Sequence, residues 1–275
     1  MQTPPETPPE TPPETPRGHP DAIVRPRQAE QLLTVERMPV GEALAPFVDY
    51  LWYVGWRLDA PHEQQVVPQP RIHVAAEDGR LLVHGIGRST FTRRLVGTGH
   101  TLGASFLPGG FRCLLGSSVG ALSDRVLPAV EVLGVDDRPA AAVVLGSEDR
   151  AEMATALEGY LAGLHPVPDP VAAQVQELVV RAETDRSVTR AEALAQVAGV
   201  GLRTLQRLFT EYVGIGPKWV IQRYRILDAA AAAHGGEPVD WAALAAELGF
   251  SDQAHLTRVF TQVVGTPPAS YRRGA

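Results

Sequence analysis

Two stretches near the C-terminus repeat one another at a fixed spacing, and this limits the possible folds of the chain more than any other feature. Leu205, Arg207, Phe209, Thr210, Val213, Gly214 and Pro217 return as Leu256, Arg258, Phe260, Thr261, Val264, Gly265 and Pro268, each pair 51 residues apart. Upstream, Leu194, Ala195 and Gly199 return as Leu244, Ala245 and Gly249 at a spacing of 50. The one-residue difference falls in the turn after the glycine, where an insertion costs least. A unit that recurs in this way is a supersecondary structure with its own small core.

The first copy reads as two helices around a tight turn. Thr189-Arg190-Ala191-Glu192 has the spacing of a capping box, which predicts a helix from Arg190. Ala195 is small where two helices must approach closely, and Gly199 can leave the first helix at positive φ without steric cost. A second helix is predicted from Leu202 to Tyr212. Leu205, Leu208, Phe209 and Tyr212 face its core side, while Arg203, Gln206, Arg207 and Thr210 form a contiguous stripe opposite. An arginine fork matches guanine O6 and N7, and a glutamine amide matches adenine N6 and N7. An ordinary surface helix also favours Arg and Gln. The recurrence of small residue, glycine, core leucine and exposed arginine in one order argues against coincidence.

The second copy is predicted to run from Asp240 to Leu248, turn through Gly249-Phe250, and continue from Ser251, as N-cap, to Val263. Its outward stripe is Gln253, Ala254, Thr257 and Arg258, over Leu256, Val259 and Phe260. His255 packs between the helices or meets a phosphate. Between the copies, Pro217 opens a helix predicted to reach Ala233 and to stop at His234-Gly235-Gly236. At 1.5 Å per residue this strut is about 25 Å long, on the order of the separation of adjacent major grooves on one DNA face. Lys218, Arg223 and Arg225 on the strut are the expected phosphate contacts, joined by Arg272 and Arg273 at the chain's end. Net charge is −6 and the pI about 5.8, which alone argues against a nucleic-acid binder. Local charge differs: from Arg203 to Arg225 five basic residues stand against Glu211 alone.

Residues 170–273 resemble the DNA-binding domain of the AraC/XylS family. Gly249-Phe250-Ser251-Asp252-Gln253, Leu256-Thr257-Arg258-Val259-Phe260 and Gly265-Thr266-Pro267-Pro268-Ala269-Ser270-Tyr271-Arg272 carry the resemblance. It implies a transcription regulator that inserts two recognition helices into adjacent major grooves of double-stranded DNA and works with RNA polymerase. Carried over by position, the base readers are Arg203, Gln206 and Arg207 in the first helix, and Gln253, Ala254, Thr257 and Arg258 in the second. Gly201 departs from the family's usual serine-like cap, which costs a few tenths of a kcal/mol.

The rest of the chain divides into two parts. Thr3-Pro4-Pro5-Glu6 recurs twice more and decays at Pro16, so residues 1–20 are expected to be a solvated, polyproline-II-like tail. Residues 21–165 are expected to form a β-rich, barrel- or sandwich-like domain. Leu51–Val54, Val66-Val67, Arg71–Val74, Arg80–Val83 and Thr101–Leu107 are short apolar runs bounded by Gly, Pro or Asp. Ala76–Gly79 reads as a hairpin turn, and Phe111–Leu115 as a short helix after Pro108-Gly109-Gly110. Met153, Leu157, Tyr160, Leu161 and Leu164 fall at helical spacing between Ser147 and Leu164. This stripe either pairs two copies of the chain in a homodimer or covers its own β-core. The proline-rich break at His165–Pro170 sets the boundary with an all-α domain over residues 169–275. The β-rich part resembles, more loosely, a sensor-like domain of unassigned role that precedes such DNA-binding regions. Phe106–Phe111 and Leu122-Ser123-Asp124-Arg125-Val126 carry that likeness, which implies an effector without naming one.

Other chemistries find little support. With one cysteine, Cys113, neither an internal disulfide nor thiolate zinc spacing is available, and Cys113 reads as a small core residue. His62, His73, His84 and His100 lack tight metal-ligand spacing, so no metal or other cofactor is expected. No Ser-His-Asp order, phosphate loop or dinucleotide fingerprint emerges, and a DNA-repair methyltransferase would need reactive cysteines. The expectation is a regulator, not an enzyme. The runner-up is an architectural DNA binder with no ligand. Without a basic start and apolar run, or about 18 consecutive apolar residues, a cytoplasmic location away from the membrane is expected.

Overall fold

The computed structural model describes residue 29, residues 31–234 and residues 239–271. The Thr-Pro-Pro-Glu tail, the first residues of the β-rich part, Gly235-Gly236, Arg272 and Arg273 lie outside the described residues. The N-terminal part contains β1 (Leu33–Met38), β2 (Val48–Arg57), β3 (His62–Val66), β4 (His73–Glu77), β5 (Arg80–His84), β6 (Phe91–Leu95), β7 (Thr98–Phe106) and β8 (Val126–Pro128). Four helices follow β7: α1 (Arg112–Leu115), α2 (Ala129–Leu133), α3 (Arg138–Gly146) and α4 (Arg150–Ala162), with a 3-10 turn at Val119–Leu122 before β8.

Six strands pair antiparallel in the order β1-β2-β7-β4-β5-β8, and β3 pairs with β6 in a separate two-stranded sheet. β4 and β5 are joined by Asp78 (φ 49°) and Gly79 (φ 80°), two successive positive-φ residues that match a two-residue hairpin to strand twist. One face of the large sheet carries Leu51, Val74, Ala76, Leu81, Val83, Leu102, Ala104 and Phe106, all buried against α3 and α4. Met153, Leu157 and Leu161 of α4 are wholly buried there, and Tyr160 and Leu164 pack on the same cluster. The stripe therefore covers its own β-core and does not offer the surface that an antiparallel homodimer contact through it requires.

The C-terminal part is helical: α5 (Pro170–Thr184), α6 (Ala191–Val197), α7 (Leu202–Leu208) with a π-helical continuation at Phe209–Val213, α8 (Pro217–His234), α9 (Trp241–Glu247), α10 (Gln253–Val264) and α11 (Pro268–Tyr271). The repeat has a visible physical cause. Gly199 and Gly249 both adopt positive φ (65° and 77°) in the turns, Gly214 and Gly265 (99° and 86°) end the second helices, and Pro217 and Pro268 open the next.

Three local expectations are corrected. The predicted capping box does not form: α6 begins at Ala191, and Arg190 makes no side-chain cap bond. The Thr189 side chain instead packs on the turn of the second unit, so tightly that a Cβ built on Gly249 would lie 2.5 Å from its Cβ. Asp252, not Ser251, caps α10, accepting the His255 N–H at 2.7 Å. The helix predicted through Tyr212 continues that far, but its last turn is π-helical, with Gly214 N–H bonded to Phe209 C=O.

The strut α8 is enclosed nearly all round: Val220, Ile221, Tyr224, Ile226, Leu227, Ala229, Ala230 and Ala233 are buried. It is packed by α5, α6, α10 and α11. Buried residues of the N- and C-terminal parts form one continuous cluster.

Candidate nucleic-acid interface

Arg203, Gln206, Arg207 and Thr210 are exposed on one face of α7 and its π-helical continuation, over buried Leu205 and Phe209. Gln253, Ala254 and Arg258 are exposed and Thr257 half-buried on α10, over buried Leu256, Val259 and Phe260. The two stripes thus occupy corresponding faces of the two repeats. Gly201 precedes α7 without a side-chain cap, as its lack of a side chain requires. Asp252 makes the opposite case at α10, where the His255 backbone N–H holds its carboxyl below the usual carboxylate range. His255 stands edge-on to Phe250 at 5.3 Å between ring centroids, and its Nδ1 lies 3.1 Å from Ser251 Oγ.

Of the three strut cations, only Lys218 is exposed. The phosphate role expected of Arg223 and Arg225 is corrected, because both are buried, at 2% and 1% exposure. Arg225 is a structural hub. Its Nη1 meets Asp228 Oδ2 at 2.6 Å, and its Nη2 donates to Ala182 C=O at 2.6 Å and Asp185 C=O at 3.0 Å, fastening the end of α5 to the strut. Asp228 also lies 3.5 Å from Arg186, which reaches Glu247 of α9 at 3.1 Å and so ties the second unit to the first. Arg223 stacks over Trp219 at 4.4 Å and donates from Nη2 to Arg88 C=O at 3.0 Å. Burial pulls its guanidinium down to about 10.

The seam between the two parts was not anticipated from the sequence. Arg112 pairs with Glu211 at 2.8 Å, and Ser118 Oγ donates to Thr210 C=O at 3.2 Å. Ser123 Oγ donates to Gly214 C=O, and Thr90 Oγ1 to Val263 C=O. A signal existed in the two N-terminal segments singled out above, since both lie here. Gly109 (φ 87°) abuts α5, where a Cβ would come 3.1 Å from Ala172 C=O, and Ser123 reaches across to Gly214.

The four histidines are not gathered together. His73 and His84 face each other across β4 and β5, His62 bonds Gln64, and His100 bonds Val144 C=O. Among the described residues no group of three His, Cys, Asp or Glu side chains could hold a metal ion. Burial pushes the Cys113 thiol up. No described helix is long and apolar enough to cross a membrane.

Residues 36–128 match a family described as Domain of unknown function (DUF6597), and residues 194–274 match one described as Helix-turn-helix domain. An AraC-like transcription regulator of Streptomyces lividans is 36% identical over 118 residues, which cover 43% of this chain and 37% of the relative. A Streptomyces antibioticus protein of the same description is 37% identical over 119 residues, with the same coverage of 43% and 37%. This chain therefore spans little more than a third of those two relatives. The transcriptional activator NphR of Rhodococcus sp is 28% identical over 261 residues, covering 92% of this chain and 68% of that protein. Among solved structures, ToxT of Vibrio cholerae shares 12% identity at a TM-score of 0.42, covering 88% of this chain and 97% of ToxT. That likeness is too distant to add to the case.

Proposed function

We propose that this chain, which belongs to the AraC-type transcription regulators, inserts α7 and α10 into adjacent major grooves of one DNA duplex. The observation that carries this reading is the pairing of two exposed Arg/Gln stripes, at equivalent positions of two repeats, on a single buried strut. Arg203, Gln206 and Arg207 read one half-site, and Gln253, Ala254, Thr257 and Arg258 the other, with Lys218 on a phosphate. Residues 1–20, 21–165 and 169–275 are proposed as tail, control domain and reading domain.

Control of transcription then runs through RNA polymerase at the same promoter, and an effector acts through the β-rich part. The other face of the large sheet is where to seek it, since the alternation of β2 and β7 places Trp52 Nε1 and Ser105 Oγ there, enclosed without a hydrogen-bond partner among the described residues.

Selection of binding sites from random duplexes tests the reading. The expected product is two half-sites centred about one helical turn apart. Arg207→Ala and Arg258→Ala should each lose about 1–3 kcal/mol of affinity and relax base preference in a different half-site. Unchanged affinity and preference in both variants would reject the assignment.

A further inference from the structure

Three hydroxyls of the β-rich part end on backbone carbonyls at the far ends of the recognition helices. Ser118 and Ser123 reach Thr210 and Gly214 at the end of the first, and Thr90 reaches Val263 in the last turn of α10. The last carbonyls of a helix have no partner within it, so such hydroxyls satisfy groups that would otherwise need water. The ends they hold are those farther from the proposed base readers, which lie within the first two turns after Gly201 and Asp252. Recognition helices contact bases chiefly through their N-terminal residues, so this grip leaves the reading ends free.

The two gripping loops are also fastened to each other. Asp124, at positive φ (59°), accepts the Arg88 N–H at 2.7 Å and pairs with the Arg88 guanidinium. Its own N–H donates to Ile86 C=O at 3.0 Å, and the Gly85 N–H donates to Arg125 C=O at 2.9 Å. The two loops approach so closely that a Cβ on Gly85 would stand 1.7 Å from Leu122 C=O. Arg88 C=O in turn accepts from Arg223 of the strut. One stitched unit therefore touches the first recognition helix, the strut and the second recognition helix.

We propose that the β-rich part is an internal brace whose stitched loops, 85–90 and 118–125, fix the relative placement of the two recognition helices and so set the half-site spacing that the protein accepts. The proposal rests on the two-groove reading above. Asp124 is a positioning residue in this scheme, because it touches no DNA and acts by holding Arg88 and Thr90 in step with Ser123.

The test uses the full chain carrying Asp124→Gly, which removes the carboxylate while tolerating the positive φ, and Thr90→Val, which keeps the shape but removes the donor. Hydrogen exchange is read at the Gly214 and Gly265 amides, at the ends of the two recognition helices. Affinity is read on the selected site and on the same site with one base pair inserted between its halves. Wild type should lose about 10- to 100-fold on insertion, as expected when one unit is thrown out of phase. Asp124→Gly should speed exchange at both helix ends and shrink the insertion penalty to a few-fold, with base preference within each half-site unchanged. Thr90→Val should loosen only the second end and shrink the penalty in part. Unchanged exchange at the Gly265 end in both variants would overturn the coupling. Faster exchange with an undiminished penalty would overturn the link to spacing. A wild-type protein that selects no bipartite site would bring down the two-groove reading itself, an outcome distinct from either failure of the brace.

Discussion

Replacing Arg225 by alanine separates a structural guanidinium from a DNA-contacting one. The side chain is 1% exposed, salt-bridged to Asp228 at 2.6 Å and hydrogen-bonded to the carbonyls of Ala182 and Asp185 at 2.6 and 3.0 Å. A hydrogen bond involving a charged group contributes roughly 1.5–3 kcal/mol net. Removing one partner of a buried ion pair costs about 3–5 kcal/mol, because the remaining charge is left without compensation. These figures describe the same guanidinium and overlap, so the expected loss for Arg225→Ala is about 4 kcal/mol, a large share of the roughly 5–15 kcal/mol typical of a folded protein. Arg225→Lys should recover part of it, since an ammonium can meet Asp228 but cannot span Asp228 and both carbonyls at once. Urea unfolding of the full chain measures both variants. The reasoning is refuted if Arg225→Ala costs less than about 1 kcal/mol of stability and instead lowers the slope of log K against log salt by about 1, the signature of a lost phosphate contact.

Two further outcomes follow from the same structure. Lys218→Ala should lower the salt slope by about 0.9 with base preference intact, and an unchanged slope would remove it from the phosphate contacts. His73 is pushed down to about 3 by desolvation, reinforced by the positive charges of His84, Arg71 and Arg37. The unfolded chain, with its histidine near 6.5, then takes up a proton that the folded chain refuses. Stability should be full above that value and fall as pH drops from about 6.5 towards 3, by at most about 1.4 kcal/mol per pH unit. Stability curves of wild type and His73→Gln that run parallel over this window would contradict the enclosure of the ring.

What could be read from the sequence was whatever depends on local geometry. Gly199, Gly214, Gly249 and Gly265 mark the turns and helix ends because their positive φ angles suit glycine wherever they occur in a chain. The two exposed stripes follow from helical spacing alone. Arg223 and Arg225 were misread because an arginine buried on a strut has the same letter as one that meets phosphate, and only tertiary packing distinguishes them. Thr189 has the spacing of a capping box but is taken up by the Gly249 turn 60 residues away in sequence. β6, Phe-Thr-Arg-Arg-Leu, escaped notice because it lies in the outer two-stranded sheet, where Phe91, Thr92 and Arg94 stay exposed and the apolar alternation is lost. The hydroxyl contacts of the seam are harder to read, because Ser118, Ser123 and Thr90 donate to backbone carbonyls, which side-chain identity does not reveal.

The enclosure of α8 bears on how such a protein can be recombined. A helix with solvent on one side can be moved between hosts together with its own core, and exchange of reading domains assumes this. Here Arg223 and Tyr224 lie buried in the strut, Arg223 against the Arg88 carbonyl and Tyr224 beside the Arg71–Asp49 pair of the β-rich part. A graft of residues 169–275 onto a foreign partner would bring those side chains to water or to a surface not shaped for them. Chimeras that also carry the 85–90 and 118–125 loops should stay soluble and cooperative in unfolding where bare grafts do not. The portable cassette is therefore larger than the helix-turn-helix pair, and a crossover that keeps both the six-stranded sheet and these contacts whole falls ahead of β1 rather than at the proline-rich break.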